Sequence, residues 1–427
     1  MKFTDGNWLL RPGVAAFYPA EAYDVDVAPD VLTVYAPTTR VAHRGDTLKG
    51  PLLTVELSSP MADVIRVRLS HFAGGQPRGP RFALHEPARP LLAWPAPDER
   101  PVLLALASAF LFVFVIGYGG ASLLSGLVPW RLPIAFPAEA AIALVPGWSL
   151  VYLSLIPLLM LLPFVLRTAR ELFPVFAALV LETAVACVAF VLWPAEVAYP
   201  AADPGGPWAG ALRLADILNL ERNAFPSLHV AFAVTAALAI GRRAGGLWIH
   251  AWAAAIAVST LLTHQHHVAD VIGGGLLAAI AWRLVSEWLR RPGVAQAVDV
   301  ELICLANALA FARRHRRYAT IALALVAASA GRWRERRVLR TGFCFLQAVD
   351  DLLDGDRTCA GEPLGVVGDL VQSLRSGRFA GDALGRLARA FVEDLHASAG
   401  SSAVATAVEL IEVMQRERRR VLDAARW

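Results

Sequence analysis

Residues 101–128 read PVLLALASAFLFVFVIGYGGASLLSGLV, a stretch without a charged side chain. An α-helix rises 1.5 Å per residue, so roughly 20 apolar residues suffice to cross the hydrocarbon core of a bilayer. The stretch therefore predicts a membrane-spanning helix. Charged residues are concentrated on either side of the central part of the chain, in residues 1–100 and 295–427.

Further apolar stretches of about this length follow the first one. The chain is 56% hydrophobic, with a mean hydropathy of +0.49, which is too apolar for an ordinary soluble protein. We predict a mainly α, polytopic membrane protein with a six-helix bundle, a small β-rich domain before it and an all-α domain after it. The other predicted spans are 146–166, 172–193, 226–241, 247–264 and 267–286.

Arginine pairs predict the orientation of the spans. They follow the second, fourth and sixth spans and so fall on one side of the bilayer, which the positive-inside rule makes cytoplasmic. Both terminal segments are expected on that side of a cell membrane, and the net charge of +4 gives no reason to expect a nucleic-acid partner. The pairs are Arg167 and Arg170, Arg242 and Arg243, and Arg290 and Arg291.

Two connections on the outward side carry clustered polar residues, NAFPSLH at 223–229 and HQHHVAD at 264–270. Ionisable groups at the mouth of a helical bundle are costly to desolvate, so His229, His266 and Asp270 are candidate catalytic residues. Asp270 follows His266 by one helical turn and can fix its tautomer. A histidine held in this way is a nucleophile at phosphorus or a general base, and His229 can protonate a leaving oxygen.

Ser227 can cap the helix that begins after Pro226, where free N–H groups favour an anion. FPSLHVAFA and HHVADVIGG resemble the second and third motifs of the type-2 phosphatidic acid phosphatase superfamily, over roughly residues 100–290. Within it, the chain looks most like lipid phosphatases and inositol-phosphoceramide-synthase-like transferases. The resemblance implies that Ser227 binds phosphate, His229 is the general acid, His266 the nucleophile and Asp270 its orienting partner, with no required metal.

The sequence departs from the superfamily in its basic residues. The usual first motif, a lysine followed at a distance by Arg-Pro, is missing, and Thr260 stands after Ser259 where an arginine is expected. We therefore assign residues of the outward loop as further candidates for substrate binding, since an arginine fork suits phosphate oxygens. These candidates are Asn223, Arg222 and Arg213. A metal site made by His264, His266 and His267 is an alternative, although three such rings on one turn hardly converge.

The segment 1–92 reads as β-rich, with alternating stretches such as VDVAPDVLTVYAP and GPLLTVELSS. It resembles the N-terminal β-domain of family-31 glycoside hydrolases of the α-xylosidase kind. The catalytic carboxylates of that family lie in a barrel domain that follows. No such barrel is evident here, so glycosidase activity is not implied.

The segment 295–427 is predicted to be helical. Asp350, Asp351 and Asp354 form a DDxxD pattern that can hold Mg²⁺ against a diphosphate. LRTGFCFLQAVDDLLDGDR resembles the first aspartate-rich motif of squalene and phytoene synthases. Such a fold needs a second acidic motif, for which Glu393 and Asp394 are poor substitutes, so we interpret the domain as incomplete.

The sequence thus predicts an integral membrane phosphatase that hydrolyses a phosphate ester or diphosphate of a lipid. The fused isoprenoid-like segment favours a polyprenyl substrate. Three alternatives stay open. The chain can transfer the phosphoryl or headgroup to another alcohol, it can be a non-catalytic lipid-binding fusion protein, or the DDxxD segment can be its active part.

Overall fold

The computed structural model divides the chain into two compact units, Met1–Arg89 and Pro90–Trp427. Each unit is considered by itself. The structure describes residues 16–61, 63–71, 91–199, 205–220, 223–244, 246–316, 319–359 and 361–424.

The first unit contains an antiparallel sheet in the order β1-β2-β3-β4. Alternating stretches rich in valine, leucine and threonine favour such strands, and a two-residue turn at Pro29 and Asp30 joins the first pair. The predicted small β-rich segment is therefore confirmed as a sheet, although its residues 1–15 and 72–90 lie outside the described part. The strands are β1 (Asp24–Ala28), β2 (Val31–Pro37), β3 (Leu52–Met61) and β4 (Val64–Ser70).

The second unit is helical. Its first part consists of α1 (Arg100–Ser125), α2 (Ser149–Leu153), α3 (Leu155–Val165), α4 (Ala169–Leu192), α5 (Ala209–Leu218), α6 (Leu228–Ala244), α7 (Leu247–Leu262), α8 (Val268–Arg290) and α9 (Val294–Arg314). The later helices are α10 (Ala319–Ser329), α11 (Arg337–Asp354), α12 (Pro363–Ser376), α13 (Ala383–Ala399) and α14 (Ser401–Ala424).

Within the described residues, five helical segments are long and apolar enough to cross a membrane. Four coincide with predicted spans, namely α1, the segment Pro146–Val165, α4 and α8. The fifth is α9, which the sequence analysis assigned to the C-terminal domain. The remaining two predicted spans, α6 and α7, form shorter apolar helices of 17 and 16 residues. The membrane-helix character is confirmed, whereas a bundle of six full-length spans is not.

Helix α6 lies at the centre of this bundle and contacts α3, α4, α7 and α8. Small side chains allow helices to approach closely, and α6 presents several fully buried alanines to its neighbours. Because protein surrounds it, α6 can be shorter than a lipid-facing helix. The buried alanines are Ala231, Ala233, Ala236 and Ala237.

Helix α9 belongs to two hydrophobic cores. Leu302 packs in the core of the bundle, while Val300 and Ile303 pack with the later helices. The acidic residues of α9 form ion pairs there, with Asp299 bound to Arg386 at 2.8 Å and Glu301 to an arginine of α11. Helix α9 therefore links the bundle to the later helices.

Candidate active site

The N-termini of α6 and α8 lie in direct contact. The main-chain N–H of Ser227 donates a hydrogen bond to the main-chain carbonyl of Asp270, with the atoms 3.1 Å apart. A Cβ atom on Gly274 would lie 2.3 Å from the carbonyl oxygen of Ser227, so this close approach requires glycine. The two polar clusters predicted from sequence are thus brought to one end of the bundle.

His266 and Asp270 form a buried pair at that end. Nδ1 of His266 lies 3.4 Å from Oδ2 of Asp270, and the two side chains are 3% and 0% exposed. The same oxygen accepts the main-chain N–H of His267 at 2.8 Å, near the positive end of the α8 dipole. The carboxylate therefore accepts a hydrogen bond from Nδ1–H of His266, and Nε2 keeps its lone pair for a reacting atom.

His229 stands on the first turn of α6 and lies within electrostatic range of His266. Its ring stacks in parallel on the ring of Tyr152 in α2, with the centroids 3.9 Å apart and an angle of 14° between the planes. The stack fixes the plane of the imidazole. His229, His266 and Asp270 are therefore gathered at one end of the helices.

A second set of buried groups lies behind this pair. Nδ1 of His267 hydrogen-bonds to Glu139, and its Nε2 accepts the N–H of Ala198 at 3.0 Å. Tyr199 stacks on His267 and donates its hydroxyl proton to the carbonyl of His266 at 3.1 Å. Burial raises the pKa of Tyr199, and the nearby charges of Glu139 and Asp270 raise it further. Tyr199 is therefore neutral and acts as a donor.

The three clustered histidines have separate partners. Nε2 of His264 lies 2.9 Å from the carbonyl of Ile142, whereas His266 faces Asp270 and His267 faces Glu139. These contacts orient the rings apart and do not favour a shared metal ion.

The predicted substrate-binding residues differ in their surroundings. Ser227 is fully buried, and its Oγ accepts the N–H of Val230 at 3.3 Å as a helix cap. Asn223 is also buried and donates to the carbonyl of Tyr118 at 2.9 Å. Arg213 is exposed and bonds to its own helix through the carbonyl of Ala209. The position of Arg222 lies outside the described residues.

Polar residues that the sequence analysis missed complete this end of the bundle. Nε2 of Gln265 donates to Asp216 at 2.7 Å, and Asn219 donates to Gln265 at 3.1 Å. Glu139 and Tyr152 were missed as well. Glu139 is the lone acidic residue of the loop 126–145 and could have been noticed for that reason, whereas no sequence signal marks Tyr152.

The C-terminal aspartates do not share one environment. Asp351 is buried and paired with Arg314, while Asp350 and Asp354 are exposed. Partial burial raises the pKa of Asp350, and the charges of Asp354 and Asp351 add to the shift.

Within the described residues, a group with metal-ligand atoms less than 4.8 Å apart is formed instead by His315, Asp351 and Asp356. A cation there would compete with Arg314 for Asp351. The Mg²⁺ site at Asp350, Asp351 and Asp354 stays a prediction.

The fold and this site together define a helical membrane protein with a buried His266–Asp270 pair at one end of its bundle. The family model described as the PAP2 superfamily matches residues 127–284, which include both histidine motifs. The match indicates a lipid enzyme of the phosphatase or phosphotransferase type. No solved structure matches the chain.

The chain also shares a segment with two curated proteins. It is 40% identical over 85 residues to "Alpha-xylosidase XylQ" of Lactiplantibacillus pentosus, and this match covers 20% of the chain and 11% of the relative. It is 35% identical over 88 residues to "Alpha-xylosidase" of Emericella nidulans, covering 21% and 11%. The chain thus spans about a ninth of each relative. Similarity to α-xylosidases is confirmed, while nothing tests the predicted squalene-synthase-like and inositol-phosphoceramide-synthase-like resemblances.

Proposed function

We propose that the chain is an integral membrane lipid phosphatase that works through a phosphohistidine on His266. The observation that carries the proposal is the buried contact between Nδ1 of His266 and Asp270, at the end of the bundle where α6 begins with His229 on its first turn. A lone imidazole in an apolar bundle needs no carboxylate partner, whereas a nucleophilic one gains basicity and a fixed tautomer from it.

In the first step, Nε2 of His266 attacks phosphorus and a P–N bond forms as the bond to the leaving lipid oxygen breaks. Protonated His229 gives its proton to that oxygen, so the lipid departs as an alcohol. Asp270 stabilises the positive charge that develops on His266. Splitting one displacement into two easier steps in this way is the usual benefit of covalent catalysis.

In the second step, water attacks phosphorus and the P–N bond breaks. Neutral His229 accepts a proton from this water, which restores the starting state and releases phosphate. An alcohol in place of water would make the same site a phosphoryl or headgroup transferase. The proposal of hydrolysis is therefore tested by supplying acceptors.

Two helix N-termini contribute positive electrostatic potential at the site. The N-termini of α6 and α8 meet at Ser227 and Asp270, and each helix carries roughly half a positive charge at that end. Two such ends offset part of the charge of a phosphate group where the superfamily's usual arginine is replaced by Thr260. Arg222 and Arg213 remain candidates for the rest.

We further propose that the site faces the non-cytoplasmic side of a cell membrane and takes a lipid phosphate laterally from the bilayer. The arginine pairs Arg167 and Arg170, and Arg290 and Arg291, follow the ends of α3 and α8 that are remote from the histidines. A polyprenyl phosphate or diphosphate is the preferred substrate, on the strength of the resemblance in the C-terminal segment.

Phosphate release by detergent-solubilised protein tests the function. Phosphatidic acid, a polyprenyl phosphate and a polyprenyl diphosphate are compared with the wild type, His266→Ala and the control His250→Ala, which changes an exposed histidine of α7. We expect release from the wild type and the control, near-background release from His266→Ala, and no loss with EDTA.

The labelled intermediate and the controls separate the alternatives. With ³²P-labelled substrate, we expect acid-labile, base-stable label on the wild type and on His250→Ala, and none on His266→Ala. Equal background release from the wild type and His266→Ala would favour a lipid-binding role. Loss of all activity with EDTA would favour the C-terminal aspartates, and release from phosphatidic acid alone would exclude the prenyl preference.

A further inference from the structure

The hydroxyl group of Tyr152 is buried without a hydrogen-bond partner. The side chain is 0% exposed, and no described atom accepts from or donates to its oxygen. Buried hydroxyls in proteins are almost always paired, because an unpaired one has given up its hydrogen bonds to water without a replacement. An unpaired buried donor of this kind indicates a partner that arrives with the substrate.

The position of this hydroxyl points to the same site as the histidines. The Tyr152 ring stacks on His229, and α2 contacts α5, which carries Asp216. Asp216 in turn bonds to Gln265, the neighbour of His266. The Tyr152 ring is therefore part of the candidate site, and its hydroxyl forms no hydrogen bond that would hold α2 to its neighbours.

The site lacks the superfamily's usual arginine, so another group is needed to donate hydrogen bonds to the phosphate oxygens. Thr260 stands where the superfamily pattern has an arginine, and its Oγ1 donates to the carbonyl of Ala257 in its own helix at 2.7 Å. This hydroxyl is thus used within α7. A different side chain has to donate to the oxygens of a phosphoryl group.

We propose that the Tyr152 hydroxyl donates a hydrogen bond to a non-bridging oxygen of the phosphoryl group that His266 attacks. This inference rests on the proposed phosphatase function. Hydrogen bonds from a hydroxyl to an oxyanion are short and strong. A donor that is fixed before the reaction stabilises the charge in the transition state, and losing one such donor lowers kcat by about 10²–10³-fold.

Tyr152→Phe is the decisive variant because it keeps the ring on His229 and removes only the oxygen. We expect kcat to fall by roughly 10²-fold with little change in KM. We also expect weaker inhibition by orthovanadate, a mimic of the phosphoryl transition state. The thermal unfolding midpoint should stay equal or rise, since the lost hydroxyl has no partner. Tyr35→Phe in β2 is the matched control and should match the wild type.

Tyr152→Leu removes the ring as well and separates the stack from the hydroxyl. If only the leucine variant loses activity while Tyr152→Phe equals the wild type in kcat and vanadate inhibition, the inference is wrong and the phosphatase proposal stands. If the wild type itself releases no phosphate from any substrate, the proposed function is wrong. A lower unfolding midpoint for Tyr152→Phe would mean that the hydroxyl has a structural partner and would also overturn the inference.

Discussion

Nδ1 of His267 hydrogen-bonds to the carboxylate of Glu139, although 128 positions separate the two residues along the chain. Both side chains are almost fully buried, at 1% and 5% exposure. The other carboxylate oxygen accepts the N–H of Val268 at 3.2 Å. The loop before α2 thereby holds the start of α8, from which Asp270 faces His266.

Glu139→Gln should weaken this support. The carboxylate of Glu139 accepts from His267 at one oxygen and from the N–H of Val268 at the other. A glutamine has only one acceptor oxygen, and its amide nitrogen can only donate, so one of these two donors would face another donor. We expect a loss of about 1–3 kcal/mol in unfolding free energy and lower phosphate release. Thermal unfolding and activity assays check both effects.

The control for this change is Glu196→Gln, which alters a half-exposed glutamate paired with Arg131. Exposed ion pairs contribute about 0–1 kcal/mol, so its unfolding midpoint should hardly move. Equal midpoints for the two variants would contradict the supporting role of Glu139.

Asp270→Asn should impair the nucleophile. Oδ2 of Asp270 faces both Nδ1 of His266 and the N–H of His267, and an asparagine cannot serve as an anion for either. We expect kcat to fall by about 10²-fold or more, with a changed pH profile because His266 loses its charged partner. Asp369→Asn, at an exposed position of α12, should leave kcat and the pH profile unchanged. An unaltered pH profile in Asp270→Asn would argue against the assigned role.

Asp394→Ala should destabilise the later helices. The Asp394 carboxylate binds Nε and Nη2 of Arg337 at 2.7–3.0 Å and accepts the Thr341 hydroxyl at 2.9 Å. It raises the pKa of Arg337. We expect a loss of roughly 1–3 kcal/mol, because two partly buried donors lose their acceptor. Glu393→Ala, at the exposed neighbouring position, should lower the free energy of unfolding far less. A larger loss of stability for Glu393→Ala than for Asp394→Ala in thermal unfolding would refute the prediction.

Glu99→Gln should change how the stability of the folded protein depends on pH, since Glu99 lies just before α1. Burial raises the pKa of Glu99, and the charges of Asp98, Glu171 and Asp299 add to the shift, although the N–H of Ala169 lowers it. A carboxyl group whose pKa is higher in the folded than in the unfolded protein stabilises the fold at pH values below its ordinary pKa, near 4. This stabilisation is lost as the pH rises through the folded-state pKa.

The glutamine keeps an acceptor for Ala169, which bonds to Glu99 at 2.8 Å, and carries no charge. The unfolding midpoint of Glu99→Gln relative to the wild type should therefore be higher at pH 8 than at pH 4. Glu335→Gln, at an exposed residue, provides the baseline. A difference that is constant with pH would show that burial of the Glu99 charge does not oppose folding.

The sequence predicted the site to the extent that local spacing encodes it. His266 and Asp270 are one turn apart, so their contact follows from helix geometry alone. The cap of Ser227 on α6 is local as well. In contrast, the sequence assigned α9 wholly to the C-terminal domain, whereas the structure packs its Leu302 into the core of the bundle.

The amino-acid sequence by itself thus determined the apolar helices, the β-strands and the two histidine motifs, because each depends on residues a few positions apart. Tertiary structure alone decided that Tyr152 lies on His229 and Glu139 beside His267. Such contacts depend on which helix faces meet when the bundle packs. That choice is made by the shapes of side chains remote in sequence, and no local periodicity records it.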